Sequence, residues 1–199
     1  MPHPTIANGV KESPSATPEP AGHLMPRVVL YVATSLDGFI ADCDGGVDWL
    51  FTDGDYGYSA FYDSIGALIM GRKTYEQVLS FGEWPYDGKA AYVYTRSVLP
   101  GEHPHVEFVS GDVGEFVAAL RARCSQDIWL VGGAQLIAPF RAQGLIDQYV
   151  LSVHPVLLGE GIPLFAGDQP RAELRLKDTQ SYPSGLVQLV YATATDARR

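Results

Sequence analysis

The chain has few cysteines, few positive charges and no long apolar run. Its two cysteines, Cys43 and Cys124, form no CxxC pair, which argues against a disulfide framework and a structural zinc site. It has 14 Lys and Arg against 23 Asp and Glu, a net charge of −9, which disfavours a nucleic-acid-binding protein. No apolar stretch approaches the roughly 20 residues that span a bilayer, and the N-terminus lacks a signal pattern. We therefore expect a cytoplasmic protein with no nucleic-acid, membrane or metal partner.

Composition and pattern predict one soluble α/β domain behind a tail. Residues 1–26 contain six prolines among small and polar residues, which predicts a disordered tail. From 27 to 195, apolar strand-like runs alternate with helical spacings, and two alternating segments, 172–182 and 186–195, read as a closing hairpin. This order predicts a three-layer α/β/α fold with a mainly parallel sheet and an antiparallel edge. No G-x-G-x-x-G follows the first strand, so an ordinary Rossmann fingerprint is missing.

A strand that meets two glycines stands out at residues 128–137 (IWLVGGAQLI). The pair Gly132-Gly133 frees the backbone and removes side chains from the turn. The helix that follows directs its N–H groups and the positive end of its dipole beyond the strand end, a ready anion site. The alternative is a tight turn that binds nothing.

A second turn of the same design follows residues 67–70 (ALIM). Gly71 leads there into Arg72, Lys73 and Thr74, at the start of a helix predicted over 72–80. Cations at this end of a helix oppose the dipole, and a bound phosphate would offset that cost because Arg can grip it with two hydrogen bonds. The alternative is a solvated basic pair on the surface. Two such turns in one small domain suggest a dinucleotide.

Polar groups at two further strand ends complete the candidates. Thr95, Arg96 and Ser97 follow the predicted strand 90–95 and suit a phosphate or ribose, or else form a capped turn with an exposed Arg. Asp37 lies in a loop predicted over 37–48, directly after the first strand, where open α/β sheets place their ligands. An Asx-type turn is the alternative for Asp37.

Five segments in order resemble the dihydrofolate reductase superfamily, and most closely the reductase domain of the riboflavin-biosynthesis deaminase–reductase and its stand-alone relatives. They are SLDGFIA (35–41), LIMGRKTYE (68–76), YTRS (94–97), LVGGAQL (130–136) and PVLLGEGIPLF (155–165). The resemblance covers about residues 27–195. It implies a reductase domain that uses NADPH, a small-molecule substrate and a homodimer, with the C-terminal hairpin as a plausible interface.

The resemblance also assigns residues to the cofactor. Those expected near its 2′-phosphate and pyrophosphate are Gly71, Arg72, Lys73, Thr74, Thr95, Arg96 and Ser97. Those expected along its pyrophosphate and ribose are Val131, Gly132, Gly133, Ala134, Gln135 and Leu136, with a cis bond between the two glycines. Ala33 and Ile40 flank the nicotinamide in this picture, and Gly161 closes the pocket.

The departures from the family limit the function. The zinc deaminase signature, H-x-E with PCxxC, is missing, so we expect a reductase module only. The segment after Trp49 does not match the proton-donating region of dihydrofolate reductases. Asp37 is the predicted catalytic residue, with Asp53, Asp55 or water as alternatives. The leading hypothesis is an NADPH-dependent reductase that transfers a hydride to a C=N or C=O carbon. The competing hypothesis is a nucleotide-binding protein on the same scaffold without turnover, and a scaffold that binds no cofactor is a third.

Overall fold

The computed structural model describes residues 25–96 and 104–194. The predicted tail lies outside these ranges except for residues 25–26, and Ser97 lies outside them too. The strands are β1 Val28–Ser35, β2 Phe39–Ala41, β3 Ile65–Gly71, β4 Ala90–Tyr94, β5 Glu107–Val109, β6 Asp127–Gly132, β7 Gln148–His154, β8 Ile162–Pro163, β9 Leu174–Ser181 and β10 Val187–Thr193. The helices are α1 Tyr58–Ser64, α2 Arg72–Ser80, α3 Val113–Arg123 and α4 Ala134–Ala142. Within the described residues, no helix has the length and apolar character needed to cross a membrane.

Eight strands form the central sheet, in the order β5-β4-β3-β6-β1-β7-β10-β9. The first six strands of that order pair in parallel. β10 pairs antiparallel with β7 and with β9. The predicted mainly parallel sheet with an antiparallel edge is therefore confirmed. The carboxyl ends of β4, β3, β6 and β1 lie side by side, which brings the predicted turns to one edge.

Helices pack on both faces of the sheet and make three layers. On one face α3 and α4 bury side chains such as Leu120 and Phe140 against β1 and β6. On the other face α1 and α2 pack on an aromatic cluster around Trp129. Burial of each such large apolar side chain contributes about 1.5–3 kcal/mol. The predicted period-3.6 spacing is what gives α2 and α3 one apolar side each.

Two local predictions need correction. The pattern over residues 58–65 predicts a short helix that Gly66 would end as the C′ residue, but α1 passes at Ile65 directly into β3, of which Gly66 is the second residue. The predicted loop 37–48 contains the short strand β2, which pairs antiparallel with β8. The strand could not be predicted because the surrounding segment is rich in Asp and Gly, as loops are. Its pairing partner also lies more than a hundred residues away in sequence.

Candidate active site

A large cleft opens at the carboxyl edge of the parallel strands, with a volume of about 1700 Å³. Single-ligand pockets usually occupy about 300–1,000 Å³, so this cleft has room for a dinucleotide and a second molecule. It is lined mainly by residues 32–33, 40–41, 43–47, 71–74, 76–78, 94–96, 110–113 and 133–136, together with Leu50, Ser80, Phe81, Tyr86, Val131 and Ile162. Most of the predicted cofactor residues are among them.

The two glycine turns meet inside the cleft. A Cβ added to Gly71 would lie 3.7 Å from the carbonyl oxygen of Gly132, and one added to Gly133 would lie 3.3 Å from Thr74 Oγ1. Gly132 has a φ of +124°, which side chains disfavour, and its bond to Gly133 is cis, as the resemblance implies. Gly132 itself is buried behind the lining. The glycines keep open a cradle that a larger residue would narrow.

Both helices that follow these turns begin without a capping side chain. Gly71 is the N-cap of α2 and Gly133 is the N-cap of α4, and neither supplies an acceptor for the first-turn N–H groups. Neither first turn contains an acidic residue. The positive ends of two helix dipoles therefore face the cleft uncompensated by their own segments, which favours an anion there.

This part of the cleft is lined by three cations, Arg72, Lys73 and Arg96. We call it the basic end. All three are exposed. Arg72 Nε donates to Glu76 Oε1 at 2.8 Å, one turn along α2. The guanidinium carries five N–H donors, so this pair leaves donors for a phosphate. Thr95 lies beside Arg96, positioned by its N–H, which donates to the Val109 carbonyl at 2.9 Å.

The N-terminus of α3 also borders the cleft but is built differently. Asp112 Oδ1 accepts hydrogen bonds from the N–H groups of Gly114, at 2.8 Å, and Glu115, at 3.0 Å. Gln143 Nε2 donates to its other oxygen at 2.8 Å. The Gln143 bond, followed by the bonds from the α3 backbone, lowers the pKa of the Asp112 carboxyl. This helix end is occupied by its own carboxylate.

A second part of the cleft, which we call the apolar end, is lined by Ile40, Val47, Leu50, Phe81 and Tyr86. No local pattern of residues indicates that the loop after β2 contacts the second half of α2. That meeting is fixed by Gln77, whose Nε2 donates to the Gly45 carbonyl at 2.8 Å. Burial raises the pKa of Tyr86 to about 12, so its hydroxyl stays protonated.

Asp37 is not among the residues that line the cleft. Its carboxylate accepts hydrogen bonds from Ser35 Oγ at 2.6 Å and from the N–H groups of Leu158, at 3.2 Å, and Gly159, at 2.8 Å. The Ser35 bond, and then that from Gly159, lowers the pKa of Asp37. These contacts tie the Asp37 carboxylate to the loop after β7, and its predicted catalytic role stays a prediction. They indicate an anchor for the loop after β7.

Asp53, Asp55 and Gly161 also lie outside the cleft lining. Asp53 accepts from the Tyr56 hydroxyl, and Asp55 accepts from the N–H groups of Gly57 and Ser59 ahead of and within α1. A Cβ on Gly161 would overlap the carbonyl oxygen of Ala41. Gly161 therefore allows β8 to approach β2, and it bears on the cleft through its neighbour Ile162.

The described residues hold no group of three or more His, Cys, Asp or Glu side chains placed to bind a metal. The donor set of the cleft suits an organic anion instead. Glycine cradles, two uncapped helix N-termini and three cations fit the phosphates of a dinucleotide.

A family model and a curated relative both match most of this chain. Residues 26–188 match the family model described as RibD C-terminal domain. The uncharacterized protein YwjB of Bacillus subtilis is 41% identical over 172 residues, which cover 84% of this chain and 98% of that protein.

Solved structures agree on the fold. A protein from Shewanella sp. PV-4 assigned to riboflavin biosynthesis is 31% identical, with a TM-score of 0.75 over 84% of this chain and 98% of its own. A diaminohydroxyphosphoribosylaminopyrimidine deaminase/5-amino-6-(5-phosphoribosylamino)uracil reductase from Thermotoga maritima is 17% identical, with a TM-score of 0.66 over 85% of this chain and 57% of its own. At that identity the second likeness shows the fold alone.

Proposed function

Because this chain belongs to the RibD C-terminal domain family, we propose that it is an NADPH-dependent reductase that transfers a hydride to a C=N or C=O carbon of a small pteridine-, pyrimidine- or sugar-like substrate. One observation carries the proposal. Two glycine-led, uncapped helix N-termini and three cations line the same cleft, whose other end is apolar. That arrangement suits a coenzyme with phosphates at one end and an uncharged reacting ring at the other.

The residues of the cleft have separable tasks in this proposal. Arg72, Lys73 and Arg96 bind the 2′-phosphate and so select NADPH over NADH. The first turns of α2 and α4 hold the pyrophosphate. Ala33 and Ile40 orient the nicotinamide and exclude water from one side of it.

When bound, NADPH supplies the hydride, and the protein supplies position and electrostatics. With Asp37, Asp53 and Asp55 outside the cleft lining, the proton that accompanies the hydride comes from water. The Tyr86 hydroxyl, kept protonated by burial, can donate a hydrogen bond to a substrate oxygen or nitrogen but does not need to ionise.

The test is NADPH binding followed by turnover. Fluorescence titration measures the affinity of the full chain for NADPH, and absorbance follows NADPH oxidation with a panel of pteridines, pyrimidines and aldoses. We expect micromolar or tighter binding, and oxidation with at least one compound. Failure to bind NADPH contradicts the proposal. Binding without oxidation on any compound favours the competing hypothesis, a catalytically silent NADP(H)-binding protein.

We also propose that the chain forms a homodimer through the C-terminal hairpin. All eight residues of β9 are exposed, including Leu174 and Leu176, and Val187 of β10 is 37% exposed. An edge strand with exposed leucines invites pairing with another strand or sheet. Sedimentation should report a dimer, and Leu176→Lys should shift it toward monomer; a monomeric parent chain would contradict this.

A further inference from the structure

Charge is unevenly distributed along the cleft. Among the described residues that line it, the cations are those of the basic end, Arg72, Lys73 and Arg96. Arg72 and Lys73 begin α2, whereas Phe81 follows its last residue, Ser80. With a rise of about 1.5 Å per residue, α2 places the backbone of Phe81 roughly 13 Å from that of Arg72. A ring stacked on Phe81 thus lies a helix length away from the backbone of Arg72 and Lys73.

Among the described residues that line the cleft, the charged side chains outside the basic end are the carboxylates of Asp44, Glu76 and Asp112. Asp44 lines the cleft beside Cys43. Burial, together with the nearby carboxylates of Glu160, Asp44 and Asp42, raises the pKa of the Cys43 thiol. The loop that contains Asp44 is held in place by hydrogen bonds. Asp42 Oδ1 accepts from the N–H groups of Asp44, at 2.9 Å, and Gly46, at 2.7 Å. Asp44 therefore places a carboxylate on the part of the cleft where a second molecule would bind.

The apolar side chains there are suited to a flat ring. Phe81 is 68% exposed, so its ring face is available for stacking, and Leu50 and Val47 offer apolar surface. Gln77 joins α2 to the loop after β2, because its Nε2 donates to the Gly45 carbonyl at 2.8 Å. Ile40 connects this region to the glycine cradle, since its Cδ1 would lie 4.0 Å from a Cβ on Gly133.

We propose that the substrate is an uncharged planar ring compound that carries no phosphate, in contrast to the phosphorylated substrate in the name of the Thermotoga maritima enzyme. This rests on the proposed function, which assigns all three cations to the coenzyme. A phosphate ester at the apolar end would lose its hydration beside Asp44 without gaining a cation. An uncharged ring meets no such penalty and gains the contact with Phe81.

A matched pair of probes tests this: 6-hydroxymethylpterin and its phosphate monoester. Each is titrated by calorimetry into the full chain saturated with NADP⁺, which blocks the basic end and permits no hydride transfer. We expect the unphosphorylated pterin to bind at least about tenfold more tightly, from the cost of an unpaired phosphate beside a carboxylate. Equal or tighter binding of the ester, or no binding of either probe, overturns the proposal.

Variants identify the site. Phe81→Ala should weaken pterin binding about fivefold through the lost aromatic contact. Asp44→Asn should reduce the discrimination against the ester to roughly threefold by removing the like charge. Leu79→Ala is the matched control, because Leu79 is an exposed apolar residue of α2 that does not line the cleft, and it should change neither affinity. If Phe81→Ala and Leu79→Ala behave alike, the apolar end is not the pterin site and the proposal fails.

The same calorimeter separates this inference from the proposed function. NADP⁺ is titrated alone first, and the pterin pair is titrated without it as well. Absent NADP⁺ binding with a retained pterin preference removes the reductase proposal and leaves the preference of the apolar end for an unphosphorylated ring. Tight NADP⁺ binding with a preference for the ester overturns the inference and leaves the reductase proposal.

Discussion

The N-termini of α2 and α4 and the N-terminus of α3 border the same cleft but are built in opposite ways. Asp112 caps α3 with two hydrogen bonds to its first-turn N–H groups. α2 and α4 begin at Gly71 and Gly133, with no capping side chain, and α2 then adds two cations that oppose its dipole. A Gly N-cap in place of Asp costs about a few tenths of a kcal/mol, so α2 and α4 forgo a little stability that α3 keeps.

The difference distinguishes a structural helix end from a binding one. Where the chain needs only a stable helix, a carboxylate satisfies the N–H groups. Where a ligand is to do so, the sequence places glycine and cations instead, and the helix is completed by the bound anion. Three sets of substitutions test whether this contrast is functional.

The largest effect is expected from Gly133→Val. Its side chain would crowd Thr74 and Ile40, since even a Cβ lies 3.3 Å from Thr74 Oγ1, and would fill the cradle at the start of α4. NADPH affinity should fall at least about 100-fold, because remote contacts cannot replace a blocked phosphate site. Ala142→Val, which adds bulk at the exposed far end of α4, is the control measured by the same fluorescence titration. Unchanged NADPH affinity in Gly133→Val would remove α4 from the site.

A smaller and selective effect is expected from Arg72→Ala and Arg96→Ala. Each should weaken NADPH roughly tenfold and NADH less than about twofold, because a charge-assisted contact to the 2′-phosphate is worth about 1.5–3 kcal/mol and NADH lacks that group. Competition titrations with both coenzymes measure the difference. Arg175→Ala, an exposed Arg on β9, should change neither. Equal small losses for the two coenzymes would contradict the assignment.

The smallest effect is expected at α3. Asp112→Ala should lower Tm by about 3 °C through loss of the cap, and Asp112→Asn should restore most of it because Asn caps as well as Asp. Both should tighten NADPH about twofold by removing a negative charge from the cleft. Thermal melts and titrations check the pair. A loss of NADPH binding in both would mean that α3 also binds the coenzyme.

The pH dependence of that effect has a definite sign. The folded-state pKa of Asp112 is lowered, chiefly by the Gln143 bond, so its contribution is present above the unfolded carboxyl pKa and is lost as pH falls through the folded value. The Tm difference between the parent chain and Asp112→Ala should therefore be constant near neutrality and shrink below about pH 4. A difference that grows in acid would contradict the carboxylate cap.

Features that depend on residues close together in sequence could be predicted, and features that depend on distant residues could not. The strand–Gly–helix turns and the alternation of strands and helices are local patterns, and both appear in the structure. Asp37 shows the limit. Its position after β1 indicated a ligand, but its partners Leu158 and Gly159 lie about 120 residues away, and no local pattern announces them.

The apolar end was missed for the same reason. Val47 and Leu50 sit in a segment rich in Asp and Gly, and Phe81 follows a helix as an ordinary exposed residue. The shared cleft lining and the bond from Gln77 to Gly45 show that these segments form two walls of one site. Hydrophobic periodicity cannot predict this contact, because the contact depends on how the loops close over the sheet.

The most direct measurement is a crystal structure of the chain grown with saturating NADPH. The account predicts phosphate density against residues 71–74 and 133–136, with Arg72 or Arg96 on the 2′-phosphate and the N-terminus of α3 still capped by Asp112. Density that leaves both glycine turns empty, or that places the phosphates at α3, would contradict it.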